Sequence, residues 1–336
     1  MLIIQKEKED LEQDQNKMED LGLFKKNFDI YLDRYLEKKI NNISRFTKDS
    51  SALSYLNYLK IISLSGGKRI RPYLAYLMYK TLSKKPNEKI LEFLVFLEIF
   101  HIFCLIHDDV MDKSDLRHGA LTAQKYVFDA LKKENRIGDL KHVGNSQAIL
   151  LGDIMLAWSQ EIINSNQYFP QKIISKINEF FYDMVDEVSV GQMIDVDIVT
   201  RKETSKQLID EKTKLKTAGY SFTKPLLIGA VLSGEISKDI ETFCKEFGLT
   251  MGMAFQTQDD LLDIISTDKK LGKTASQDKS QNQHTYFTYF PSIEYGKKII
   301  KDNFIKARRL IKELKIDILD KQEFLKLIGV IEKRTS

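Results

Sequence analysis

Apolar residues recur at helical spacing along most of the chain. From Ile90 onward, Leu91, Leu94, Val95, Leu97, Ile99, Ile102, Leu105 and Ile106 nearly encircle a helix, the pattern of a helix enclosed by others. The same recurrence predicts helices over 24–43, 53–64, 72–82, 148–163, 173–191, 220–232, 240–265 and 295–314. No segment sustains the period-two alternation of a half-buried strand. The fold class is therefore all-α.

The segments between these helices are polar: 83–89, 132–145 with Gly138 and Gly144, 200–205, and 267–283. The last is long, Lys-rich and follows an acidic helix end, as functional binding loops often do. Residues 1–20 are strongly charged and read as an N-terminal helical extension or a dimer arm. Residues 21–336 read as one large helical domain, since neither an internal repeat nor a linker divides them.

Composition narrows the function. With 43% hydrophobic and 30% charged residues, the 336-residue chain is globular. A net charge of +4, with both signs interspersed, offers no cationic face for nucleic acid. The N-terminus lacks the apolar core of a signal sequence, and the apolar stretch 93–106, broken by Glu98 and His101, is too short to span a bilayer. Cys104 and Cys244 are far apart and in no metal-ligand spacing. A reducing, cytoplasmic location is expected.

Two acidic clusters stand out against this background. In Asp108-Asp109-Val110-Met111-Asp112 the first and last carboxylates stack on one helix face, with Asp109 offset. Like charges at a helix C-terminus destabilise it, whereas a hard divalent cation would hold them together. A cluster of this form arises by chance in about one such chain in six, and a pair in roughly a few percent. The second copy, Asp259-Asp260-Leu261-Leu262-Asp263, lies in another apolar stretch, 251–265. Two such faces converging on one cavity would hold a diphosphate between several metal ions.

Such a site needs basic partners. Gly66-Gly67-Lys68-Arg69-Ile70-Arg71-Pro72 sets three cations after flexible glycines and before a helix, a setting that favours phosphate. The P-loop spacing is absent. His101 lies seven residues before Asp108, two turns along the same face, and Arg117 follows Asp112 by five. Lys216 and Thr217 begin an apolar helix, where a buried Lys216 requires an anion. Gln256 precedes Asp259 by one turn.

Together, 66–72, 101–119, Gly152-Asp153, Gly191-Gln192-Met193-Ile194-Asp195, 216–222, 255–263 and Gly272-Lys273 closely resemble the all-trans polyprenyl diphosphate synthases. That family includes the farnesyl and geranylgeranyl enzymes. The resemblance runs from about residue 60 to 285 and implies a single helical bundle around a deep central cavity, usually a homodimer. It implies Mg²⁺, about three ions per site, or Mn²⁺, held by Asp108, Asp109, Asp112, Asp259, Asp260 and Asp263. Arg117, Lys216 and Lys273 would hold the leaving diphosphate of an allylic substrate (dimethylallyl, geranyl or farnesyl). Lys68, Arg71 and His101 would bind isopentenyl diphosphate, Thr217 and Gln256 would line the reacting carbons, and Gln192 and Asp195 would support that shell.

The chain departs from the family pattern twice. Arg117-His118-Gly119 replaces Arg-Arg-Gly, so His118 stands where an Arg contacts isopentenyl diphosphate, implying weaker or pH-dependent binding. Gln283 stands where a Lys usually lies two residues before Thr285.

Product length, by the same resemblance, is set just before the first cluster, where Phe103 is bulky and Cys104 small. One aromatic there implies a geranylgeranyl product of about twenty carbons, the alternative being a farnesyl diphosphate synthase. A terpene cyclase would not carry this second Asp cluster or the Gly-Gly-Lys segment. A reading of another class, a non-catalytic helical subunit of a heteromeric synthase, would be expected to lose aspartates that are all present here.

Overall fold

The computed structural model describes the backbone of residues 2–83, 87–117, 119–234, 236–271 and 285–334, and side chains over these ranges except 2–20 and 266–271. The chain divides into two compact units, residues 20–73 with 87–170, and residues 1–19 with 74–86 and 171–336.

The first unit holds most of α1 (Leu2–Ile43), then α2 (Ser50–Leu64), the start of α3 (Ile70–Leu82) and α4 (Ile90–Met111). A hairpin of β1 (Leu116–Arg117) and β2 (Ala120–Leu121) follows, then α5 (Ala123–Lys133) and α6 (Leu140–Asn164). The apolar girdle of α4 makes it the core helix: Leu94, Phe96, Leu97, Ile99 and Phe100 are fully buried. Helix α6 packs along it, and Ser159 Oγ donates to the Phe96 carbonyl at 2.9 Å. Phe28, Leu32 and Leu36, one α1 turn apart, are equally buried, and each such side chain contributes about 2–3 kcal/mol. Asp49 and Asp139 cap α2 and α6 through side-chain bonds to Ala52 and His142 N–H groups.

The second unit holds the rest of α3, then α7 (Gln171–Ile198), α8 (Lys206–Thr213), a π-helix over Lys214–Thr223, and α9 (Lys224–Leu232). After these come α10 (Lys238–Leu271), α11 (Tyr286–Tyr289), α12 (Ile293–Glu313) and α13 (Ile318–Glu332). Helix α9 is buried along its whole length, and Lys224 enters that interior by pairing with Asp183 at 2.7 Å and Glu187 at 3.2 Å. Phe247 packs on Phe243 and Phe324 at centroid distances of 5.2 and 6.1 Å, joining α10 to α13.

The all-α class holds, with several differences in detail. The hairpin is a short β ladder, pairing Leu116 with Leu121 and Arg117 with Ala120, too brief for a periodic signal. The expected connector 132–145 is largely helix: α6 starts at Leu140, and Gly144 lies buried inside it. The connector expected from 267 begins as helix, since α10 continues to Leu271, and residues 272–284 lie outside the described residues. The 93–106 stretch is not too short to span a bilayer once its helix is complete. Among the described residues α4 alone has the length and hydropathy for it, but 67% of its apolar window is buried inside the fold, so no transmembrane segment is indicated.

Candidate active site

Helix α4 ends on the first acidic cluster. Asp108 and Asp109 occupy its last turn and Asp112 caps it, donating its N–H to the Asp108 carbonyl at 2.8 Å. The chain then reverses through Lys113 at φ 55° and Gly119 at φ 79°. This returns Arg117 to the cluster, where Nε donates to Asp109 Oδ1 at 2.8 Å and a terminal nitrogen to Asp108 Oδ2 at 3.1 Å. Gln124 fixes the turn from below, donating to the carbonyls of Asp109 at 2.9 Å and Ser114 at 2.7 Å. Burial pushes the Asp109 carboxyl up to about 6 even though Arg117 draws it down; Asp108 and Asp112 add to the rise.

Beside this cluster lies a cavity of about 80 Å³ whose lining includes Gly67, Arg69, Glu98, His101, Asp109 and Arg117. The unit thus brings His101, Asp109 and Arg117 to one space. Lys68 is exposed in the preceding turn, and Arg71 is half-buried in the first turn of α3. Between them Arg69, 4% exposed, donates to Asp29 at 2.7 Å, Glu98 at 2.6 Å and the Ser63 carbonyl at 2.9 Å. Arg69, expected as one of three cations favouring phosphate, is instead taken up by these two carboxylates. Its signal was Glu98, an acid inside the most apolar helix and therefore in need of a cation.

Phe103 is 9% exposed and meets the rings of Phe100 at 5.6 Å and His107 at 4.8 Å; Cys104 beside it is half-buried. His107 Nε2 lies 3.1 Å from the Ile149 carbonyl and 3.6 Å from Asp153. Gly152 makes this approach feasible, because a Cβ there would stand 2.3 Å from the imidazole. That contact accounts for the Gly152-Asp153 pair in the sequence.

The second unit carries the other cluster and its partners. Asp195 on α7 receives Lys216 at 2.5 Å and Lys212 at 2.8 Å. Burial alone would raise its carboxyl, yet Lys216 and Lys212 prevail and hold it below the usual range. The anion that Lys216 requires is therefore Asp195. Gln192 is half-buried one turn earlier on α7. Lys216 and Thr217 lie in the π-helix, a geometry frequent at functional sites. Thr217 Oγ1 donates to Gln256 Oε1 at 2.8 Å, and Gln256 Nε2 donates to Asp260 Oδ1 at 2.9 Å.

Asp260, 7% exposed, also accepts the Tyr286 N–H at 3.1 Å, and burial raises its carboxyl. Asp259 pairs with Arg334, whose guanidinium lies 4.1 Å from the Phe255 ring centroid; Asp263 is exposed. His118 and Lys273 lie outside the described residues.

Both clusters present only carboxylate oxygens, the donors a hard divalent cation takes. Among the described residues no three His, Cys, Asp or Glu side chains gather at one point. Carboxylates strung along a helix face fit an ion that keeps waters and shares its ligands with phosphate oxygens. The raised carboxyls of Asp109 and Asp260 agree, since such an ion would supply the charge their burial withholds.

Comparison with known proteins adds the lineage. The Polyprenyl synthetase family matches residues 54–315. The chain is 32% identical to a short chain isoprenyl diphosphate synthase of Methanocaldococcus jannaschii, over 78% of this chain and 73% of that one. It is 30% identical to the farnesyl diphosphate synthase of Bacillus subtilis, over 81% and 87% respectively. In fold it is similar to a geranylgeranyl pyrophosphate synthase from Corynebacterium glutamicum, solved with isoprenyl diphosphate and magnesium, with a TM-score of 0.80 over 93% of this chain and 98% of that one at 24% identity. With acidic clusters, basic partners and match all running through the same 54–315 stretch, the chain belongs to the polyprenyl synthetase family.

Proposed function

We propose that the protein condenses isopentenyl diphosphate with an allylic diphosphate, releasing diphosphate and forming an all-trans short-chain prenyl diphosphate, geranylgeranyl diphosphate foremost. The observation that carries this reading is the Arg117 clamp on Asp108 and Asp109, beside a cavity lined by Asp109, Arg117 and His101. A carboxylate pair tied to a guanidinium presents both signs of charge to a diphosphate, as a leaving group of that kind demands.

In this reading Asp108, Asp109, Asp112, Asp259, Asp260 and Asp263 hold Mg²⁺, about three ions per site, or Mn²⁺. Held there, such ions would supply the positive charge that a departing diphosphate needs. Arg117, Lys216 and Lys273 hold that diphosphate as its bond to the allylic carbon lengthens. Lys68, Arg71, His101 and His118 keep isopentenyl diphosphate close, so that its double bond meets the forming cation at short range. Thr217 and Gln256, locked together by their hydrogen bond, flank the reacting carbons, with Gln192 and Asp195 behind them. The proton lost at the end passes to the released diphosphate, and no protein nucleophile takes part.

The enzyme would work as a homodimer in the cytoplasm, in keeping with a sequence that holds two cysteines, Cys104 and Cys244. The smaller Cys104 beside Phe103 favours the twenty-carbon product over farnesyl diphosphate. The test is to incubate the purified chain with Mg²⁺, isopentenyl diphosphate and each of dimethylallyl, geranyl and farnesyl diphosphate, then chromatograph the dephosphorylated products. Elongation that stops at twenty carbons and vanishes with a chelator is the expected result. A fifteen-carbon end product favours the farnesyl reading. No elongation of any primer defeats the proposal and favours a non-catalytic subunit.

A further inference from the structure

We propose that Arg69, a residue given no role in the reaction above, is the positioning residue of the 66–71 turn and fixes how Lys68 and Arg71 face isopentenyl diphosphate; this rests on the function just proposed. The turn takes an uncommon backbone conformation. Gly66, Gly67 and Arg69 have φ of 75°, 70° and 54°, the left-handed region that glycine enters freely and arginine rarely. A side chain kept there needs anchors, and Arg69 has three. It reaches Asp29 on α1, Glu98 on α4 and the Ser63 carbonyl near the end of α2, all within 2.9 Å.

Charge explains why the anchor is arginine. Lys25 pairs with Asp29 at 2.5 Å, so two cations balance two carboxylates where Arg69 is 4% exposed. Three different acceptors are served by the rigid fork of one guanidinium, which the single nitrogen of lysine does not reproduce. Gly67 leaves room for that fork, since a Cβ there would lie 3.2 Å from an Arg69 terminal nitrogen.

The position of Glu98 gives the anchor its functional meaning. It precedes His101 by one turn of α4, and both face the same cavity as Gly67 and Arg69. One ion pair therefore sets the turn carrying Lys68 and Arg71 against the helix face carrying His101. Three groups proposed for one substrate are aligned by a residue whose three guanidinium nitrogens each bind a protein acceptor.

The test uses the full chain with Arg69→Lys, and separately the double variant Arg69→Met with Glu98→Leu, which removes both charges and leaves Lys25 with Asp29. Arg69→Lys is expected to raise KM for isopentenyl diphosphate about tenfold or more, with kcat and the allylic KM within about twofold. Amide hydrogen exchange should quicken at 66–71 and not across α4. The double variant should keep the KM defect even where its melting temperature returns to that of the wild type. Recovery of KM together with stability would overturn the proposal, as would a parallel loss in both substrates. A wild-type chain that elongates no primer defeats the proposed function instead. Exchange at 66–71 then decides the anchor alone: quickening in Arg69→Lys supports it, and unchanged exchange refutes it.

Discussion

Arg117 Nε meets Asp109 Oδ1 at 2.8 Å across a chain reversal, although the two residues are eight positions apart. The hairpin follows the last turn of an apolar helix, which would otherwise end in unrelieved negative charge. Arg117→Ala should lower kcat by about two to three orders of magnitude, the usual cost of losing a preorganised charge partner in the transition state. Arg117→Lys should recover only part of this, because one ammonium does not reproduce two hydrogen bonds in fixed directions. Steady-state kinetics with both substrates varied would measure each.

Asp109 should make the metal-free protein less stable as pH rises. Its carboxyl is pushed up to about 6 in the folded chain against 3.8 unfolded, so between those values the folded state retains a proton that the unfolded state has lost. Stability then falls through this window and stays lowered at neutral pH. Asp109→Asn should therefore melt higher than wild type at pH 7, equal to it below pH 4, and elongate no primer. Calorimetry at the two pH values in the presence of chelator is the measurement.

Asp195 should act with the opposite sign. Lys216 and Lys212 hold its folded carboxyl below the unfolded value despite burial, so its stabilisation is complete above the unfolded value and is lost as pH falls through the folded one. Asp195→Asn should cost about 1–3 kcal/mol at pH 7 and flatten the acid limb of the stability curve. A denaturant titration series from pH 2 to 7 would check both.

Phe103 should prove to be a stop for the growing chain and part of the core as well. Packed on Phe100 and His107, it cannot be removed without loss. Phe103→Ala should cost roughly 3–5 kcal/mol and shift the product by at least one five-carbon unit. Product chromatography read beside the melting temperature separates the two effects; an unchanged length at retained activity would refute the stop.

Long-range order in the chain was legible where chemistry repeats at fixed spacing. The girdle of α4, the two Asp clusters and the order of the basic partners need only the local sequence. Legibility failed where a role depends on distant partners. Arg69 sits among Lys68, Arg71 and two glycines, with nothing local to mark it as the buried one, because Asp29 and Glu98 decide that from 40 and 29 residues away. Helix α5 is absent from the expected helices, although Ala123, Val127 and Leu131 recur within it at helical spacing. The π-helix left no trace, since its wide turns are imposed by packing rather than by propensity.

That π-helix makes the chain unforgiving of deletion there. Between Lys214 and Thr223 each hydrogen-bonded ring encloses one residue more than an α turn. Losing a single residue after Lys216 would let the ladder relax to α geometry and turn α8 and the residues up to Lys216 by about 100° relative to α9. Lys212 and Lys216 would turn away from Asp195, while Lys224 would keep Asp183 and Glu187. For lineages descending from this chain, a one-codon loss at this spot alters azimuth, a harsher event than most changes of side chain.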